Sequence, residues 1–114
     1  MDDPVIQDLL ASGIAAMRAH DLEVALDSFD QVIEKVPEFA EGWNRRATVY
    51  YLMGEYSRSI QDIRQTLLLE PRHFGAMAGF AWILLQQRDF EMAEHVLRKT
   101  LSVNPFLVDV RRQL

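Results

Sequence analysis

Three histidines, seventeen carboxylates and five serines are the side chains of this sequence suited to acid–base, metal or nucleophilic chemistry. The histidines are His20, His73 and His95, and none is followed four residues on by a second metal ligand, as a helical zinc site would need. No serine stands in a Gly-x-Ser-x-Gly elbow. Gly75 and Gly79 fall within a helical pattern, not between strand and helix where a phosphate loop forms. Hydrolytic work would require a carboxylate held in an apolar pocket with a raised pKa, whereas these carboxylates fall on expected wet helix faces. Without cysteine there is neither a disulfide nor a thiolate metal site. The expectation is a non-enzyme with no catalytic residue, no cofactor and no metal.

Charge narrows the partners. Residues 1–41 carry ten acids against Arg18 and Lys35, while residues 42–114 carry seven acids against ten bases. An acidic end repels phosphate, so nucleic acid is not an expected partner. The acidic third is either a solvated face or a docking surface for a basic partner or a second copy. The longest uncharged apolar run, from Phe74 to Leu85, is shorter than the roughly 20 residues a bilayer-spanning helix needs, so no membrane insertion is expected. The acidic start, Asp2-Asp3-Pro4, lacks the basic region of a signal peptide. Location is therefore undetermined: cytoplasmic by default, exported if a signal has been removed.

The elements that position these residues follow from a repeat. Pro37, Pro71 and Pro105 are spaced by 34 residues, and other columns keep the same step: Leu22, Tyr56 and Phe90; Ala25, Ser59 and Ala93; Phe29, Ile63 and Leu97; Ile33, Leu67 and Leu101. Such internal periodicity marks a helical array. Within one period Trp43, Ala47, Tyr50 and Met53 form one helical stripe, and Ile60, Ile63, Leu67 and Leu68 form another. Two stripes per period make two amphipathic helices. Gly54 suits the left-handed residue that ends the first, and each proline closes a unit. The periodicity predicts helix pairs at 5–18 with 22–35, 40–53 with 57–69, and 74–87 with 91–102. A capping helix is expected at 106–114, where Leu107, Val110 and Leu114 fall at helical spacing. Arg46, at a half-buried position, is expected to reach Asp62 or Asp30.

The second period, with Trp43, Arg46, Ala47, Tyr50, Gly54, Tyr56 and Pro71, resembles the tetratricopeptide repeat. The first repeat keeps Gly13, Ala25, Phe29 and Pro37; the third keeps Ala81, Phe90, Ala93 and Pro105. Departures are Leu9 and Met77 where Trp is usual, and Arg46 where Leu is usual. The resemblance covers about residues 6–105. It implies an all-α α-solenoid of three antiparallel helix pairs, one tetratricopeptide (TPR) domain over 1–114 with repeats at 6–39, 40–73 and 74–107. The run from Glu41 to Gly75 is also similar to small bacterial repeat proteins, some of them exported.

The resemblance further implies a right-handed superhelix whose concave groove is lined by the first helix of each pair. Its register places Gln7, Leu10, Ile14, Met17 and Arg18 there from the first repeat. Glu41, Asn44, Arg45, Thr48, Tyr51 and Leu52 follow from the second, and Gly75, Ala78, Gly79, Trp82, Leu85 and Gln86 from the third. One subclass of the family grips the carboxylate end of heat-shock chaperones with Lys, Arg and Asn. At those positions this chain has Leu10, Ile14, Arg45, Gly75 and Gly79, and that function is not expected. The groove is instead apolar and aromatic. Tyr51 and Trp82 are amphipathic rings of the kind that dominate interface energies, and Glu41 and Arg45 could orient a partner by charged hydrogen bonds. Trp82 equally suits packing against a neighbouring helix. The Gly75/Gly79 pair suits either close helix packing, slightly favoured, or a shallow binding floor.

The leading expectation is an adaptor or scaffold module that binds a peptide or helix of a protein partner in this groove, anchored by Tyr51, Trp82 and Arg45. The alternatives are a self-associating structural module, forming a homo-oligomer through the charge split or an apolar end, and a regulatory segment of a larger protein.

Overall fold

The computed structural model describes residues 3–103. Six helices occupy them: α1 (Pro4–Arg18), α2 (Leu22–Lys35), α3 (Ala40–Leu52), α4 (Tyr56–Leu69), α5 (Phe74–Gln86) and α6 (Phe90–Val103). Every end lies within one residue of the range set by the periodicity. The helices pack as α1 on α2, α3 on α4 and α5 on α6, and successive pairs meet through α2 on α3 and α4 on α5. This is an α-solenoid of three antiparallel helix pairs. Pro105 and the capping helix expected at 106–114 lie outside the described residues. Among the described residues, no helix is long and apolar enough to cross a membrane.

The turn inside each pair is the same device three times. His20, Gly54 and Arg88 take the left-handed conformation, with φ of 60°, 79° and 63°. Around each, a long backbone bond closes the helix: Asp21 N donates to Ala16 O at 2.8 Å, Glu55 N to Tyr50 O at 2.8 Å, and Asp89 N to Leu84 O at 2.9 Å. A second, from His20, Gly54 or Arg88, reaches back three residues. Together they form the Schellman motif, which satisfies the last carbonyls of a helix. Only Gly54 announces it in the sequence. The next helix then starts on an acidic cap in two of the three turns. Asp21 accepts from Val24 N at 3.5 Å and Asp89 from Met92 N at 3.3 Å, whereas Glu55 makes no side-chain cap bond.

The core forms three clusters, of which the first two bridge neighbouring pairs. Ile6, Leu10, Ala25, Phe29, Val32 and Val49 form one cluster, Ala47, Ile63, Ala76 and Ile83 a second, and Ala81, Leu84, Ala93, Val96 and Leu97 a third. Gly13 is required in the first: a Cβ there would lie 2.5 Å from Phe29 Cε1. Three buried hydroxyls are paired. Thr66 and Thr100 donate to the carbonyls of Asp62 and Val96, both at 2.8 Å, and Ser59 donates to the Ala47 carbonyl at 2.7 Å. Two residues of the expected stripes turn outward: Met53, at the end of α3, and Leu68 are exposed.

Candidate functional site

The 34-residue step that places α3 beside α5 leaves a pocket of about 160 Å³ at the junction of the second and third pairs. Asn44, Ala47, Thr48 and Tyr51 supply one wall, all from α3, where the spacing 44, 47/48, 51 makes one face. Gly75, Gly79, Trp82 and Ile83 of α5 supply the opposite wall at the same spacing, and Ser59 and Ile63 of α4 close the back. Trp82 and Tyr51 meet across the opening, where the indole Nε1 donates to the Tyr51 hydroxyl at 2.6 Å. Tyr51 also packs on Tyr56, with ring centroids 5.6 Å apart. Trp82 nevertheless stays 43 % exposed, so it is a rim residue and not core.

The glycines of the pocket are not explained by close helix packing, which the sequence slightly favoured. Among the described residues, a Cβ at Gly79 would have only Ile63 Cδ1 nearby, at an ordinary 3.9 Å. Glycine within a helix costs about 1 kcal/mol against alanine, and at this position packing does not offset it. Gly75 is tighter, because a Cβ there would lie 3.2 Å from His73 Cε1. The His73 ring is fixed as the cap of α5, its Nδ1 accepting from Ala76 N at 3.0 Å.

Of the residues placed on the groove by register, Asn44, Thr48, Tyr51, Gly75, Gly79 and Trp82 come together in this pocket. The others do not. Leu10 is a correction: it belongs to the core, because Ile6, Leu10 and Gly13 form the buried stripe of α1 that packs on α2. Ile14 and Met17 are partly buried against the same cluster, and Leu85 against the third. Glu41 and Arg45 are occupied with each other at 3.3 Å. That contact is an ion pair without hydrogen-bond alignment, since Arg45 Nε is buried with no hydrogen-bond partner among the described residues. Sequence reasoning missed Ala47, Ser59, Ile63 and Ile83 as lining. Their columns mark them as packing residues, and nothing in the pattern says that packing stops short of filling the space.

A second polar constellation lies between α2, α3 and α4. Arg46 donates from Nε and Nη2 to the two Asp62 carboxylate oxygens at 2.8 and 2.9 Å, and from Nη1 to Asp30 at 3.0 Å. Its guanidinium lies 5.1 Å from the Trp43 ring centroid and 5.6 Å from that of Tyr50. The hydrogen bonds to Asp62 hold the Arg46 pKa above its ordinary value; burial opposes this, and Asp30 adds to it. Trp43 is fixed in turn by its Nε1 donating to the Pro37 carbonyl at 2.8 Å. With both carboxylates bound to one arginine, this is a structural clasp joining two helix pairs. Among the described residues, no group of three or more His, Asp or Glu side chains is placed to hold a metal ion.

Comparison with known proteins agrees with this geometry. A family model described as tetratricopeptide repeat matches residues 10–72. A TPR repeat-containing protein of Rhizobium etli is 42 % identical over 81 residues, covering 71 % of this chain and 40 % of that protein. Tetratricopeptide repeat protein 36 of Bos taurus is 33 % identical over 106 residues, covering 89 % of this chain and 55 % of that protein. The chain thus spans about half or less of these relatives' length. Among solved structures, the first TPR domain of Spaghetti (RPAP3), bound to the HSP90 peptide SRMEEVD, superposes with a TM-score of 0.90 at 15 % identity, covering 100 % of this chain and 90 % of that one. At that identity the likeness is one of fold. With its repeat, its three helix pairs and its matching relatives, the chain belongs to the tetratricopeptide repeat family.

Proposed function

We propose that this chain is a protein-interaction module that binds a peptide or helix of a partner protein on the face lined by α3 and α5. The observation that carries the reading is the pocket walled by Tyr51 and Trp82 on that face. Trp82 is exposed and Tyr51 half-buried, and the floor is left open at Gly79, a glycine that packing does not require. Aromatic groups around an open pocket are where binding energy concentrates. The Spaghetti domain, of the same fold, holds an HSP90 peptide. A chaperone carboxylate is not the ligand proposed here. The positions that would hold it carry Leu10, Ile14, Arg45, Gly75 and Gly79, and of these only Arg45 is cationic, already paired with Glu41.

The test is a pull-down from source-cell extract with two baits: the wild type, and a variant carrying Tyr51→Ala with Trp82→Ala, both checked for helicity by circular dichroism. A protein retained by the first and lost by the second supports the reading. Equal retention by both moves the binding surface off this face.

A further inference from the structure

We propose that the pocket between α3 and α5 receives one uncharged, bulky apolar side chain of the partner, of phenylalanine, leucine or methionine size. Tyr51 and Trp82 then form its wall and are not themselves inserted into the partner. This rests on the peptide-binding reading above and specifies its ligand.

Four observations carry it. The first is size. The pocket is about 160 Å³, and an apolar protein cavity of roughly 150 Å³ accommodates benzene. A single phenyl or branched aliphatic group is of this size. The second is charge. Among the described residues, no Lys, Arg, His, Asp or Glu lines the pocket, so an ionised side chain would enter without a counter-charge, a costly desolvation. The third is that, apart from the Asn44 amide, the polar side chains of the walls are already engaged. Ser59 Oγ is bonded to the Ala47 carbonyl, Thr48 Oγ1 to the Asn44 carbonyl at 3.2 Å, and the Trp82 indole to Tyr51. What remains facing the space is Ala47, Ile63, Ile83, the ring faces and the neutral Asn44 amide. The Tyr51 hydroxyl accepts from Trp82 and so keeps its own proton to donate at the rim, suited to a neutral carbonyl oxygen. The fourth is Gly79. The missing side chain leaves space that no described residue fills, since a Cβ would meet only Ile63 at 3.9 Å.

The experiment titrates ¹⁵N-labelled protein with N-acetyl-L-phenylalaninamide, N-acetyl-L-leucinamide and the anionic α-amide of N-acetyl-L-aspartic acid, its side-chain carboxylate free, following amide and indole resonances. A Trp43→Phe spectrum assigns the Trp82 indole. The expected result is saturable shifts at Gly75, Gly79 and the Trp82 indole with both neutral probes, and at least tenfold weaker binding of the anionic one. Gly79→Leu fills the space from within and replaces glycine by a better helix former. It is expected to weaken the neutral probes at least tenfold at unchanged helicity, with Gly79→Ala intermediate. Three results each overturn the proposal: no saturable shift at these positions, equal binding of the anionic probe, or undiminished binding to Gly79→Leu. The general reading fails differently. If a natural partner is lost from the Tyr51→Ala, Trp82→Ala bait while the probes do not bind, recognition on this face stands and the apolar-side-chain proposal falls. If partner retention ignores that double substitution, the general reading falls.

Discussion

Asp62 presents both of its carboxylate oxygens to Arg46, at 2.8 and 2.9 Å, from a side chain that is 5 % exposed. The pair joins α3 to α4, and the third arm of Arg46 reaches back to Asp30 on α2. A consensus repeat would place an aliphatic residue at position 46. Here a planar five-donor group takes its place, flanked by the Trp43 and Tyr50 rings.

Breaking this pair from one side should be severe. Asp62→Ala strands a guanidinium that is largely buried, and removal of one partner of a buried pair costs about 3–5 kcal/mol. The lower end is expected here, because Arg46 retains Asp30 and 20 % of its side-chain surface. Asp30→Ala, at a half-exposed carboxylate, should cost less than about 1 kcal/mol. Replacing both members of the pair by apolar residues, Arg46→Met together with Asp62→Leu, should recover most of the loss. Urea denaturation of the wild type and these three variants at pH 7 checks the ordering. Arg46 stays charged throughout the accessible pH range, so its own titration adds no pH dependence.

Adding one methyl should have opposite effects at two helical glycines. Gly13→Ala drives a Cβ to 2.5 Å from Phe29, which is fully buried and cannot yield without disturbing the first cluster. Overpacking of this kind costs about 1–3 kcal/mol. Gly79→Ala meets nothing closer than 3.9 Å and should stabilise by about 0.5–1 kcal/mol through helix propensity. Thermal unfolding of both variants is the measurement.

The left-handed turns make a third prediction. His20 and Arg88 hold φ values of 60° and 63°, a conformation costing a non-glycine residue roughly 1–2 kcal/mol. Glycine returns part of that gain as lost chain entropy, so His20→Gly and Arg88→Gly should each stabilise by about 0.5–1 kcal/mol. Gly54→Ala should destabilise by a similar amount. Differential scanning calorimetry would show the signs.

The cap of α5 makes the fourth. His73→Ala removes the acceptor for Ala76 N and should cost about 1 kcal/mol, whereas His73→Asn retains a capping group and should cost much less. Amide exchange at Ala76 reports the cap directly.

Much of the fold was legible because a repeat states each instruction three times. The proline columns and the helical stripes set all six helices, and Arg46 was expected to reach Asp62 or Asp30, where it takes both. What was not legible depends on rotation and on packing that stops short. Leu10 falls on the groove by register, yet the buried stripe of α1 includes it. The turns at His20 and Arg88 carry no glycine, so their left-handed backbone is imposed by the Schellman bonds around them and not by local preference. The pocket itself is a negative feature. Ser59, Ile63 and Ile83 look like ordinary packing residues, and only their arrangement in space reveals that Gly79 leaves room between them.

The seam between the second and third helix pairs is thinner than that between the first and second, with α4 meeting α5 less extensively than α2 meets α3. In a linear array each unit leans only on its neighbours, so separations begin where the shared surface is least. Among the described residues, α5 and α6 are therefore expected to separate first from the Arg46-clasped body. The pocket lies in that seam, with one wall on each side of it. A guest seated there would work as a keystone, touching both bodies at once and slowing their parting. Occupancy would thus be registered mechanically, as a stiffening of α5 and α6 that extends beyond any atom the guest contacts.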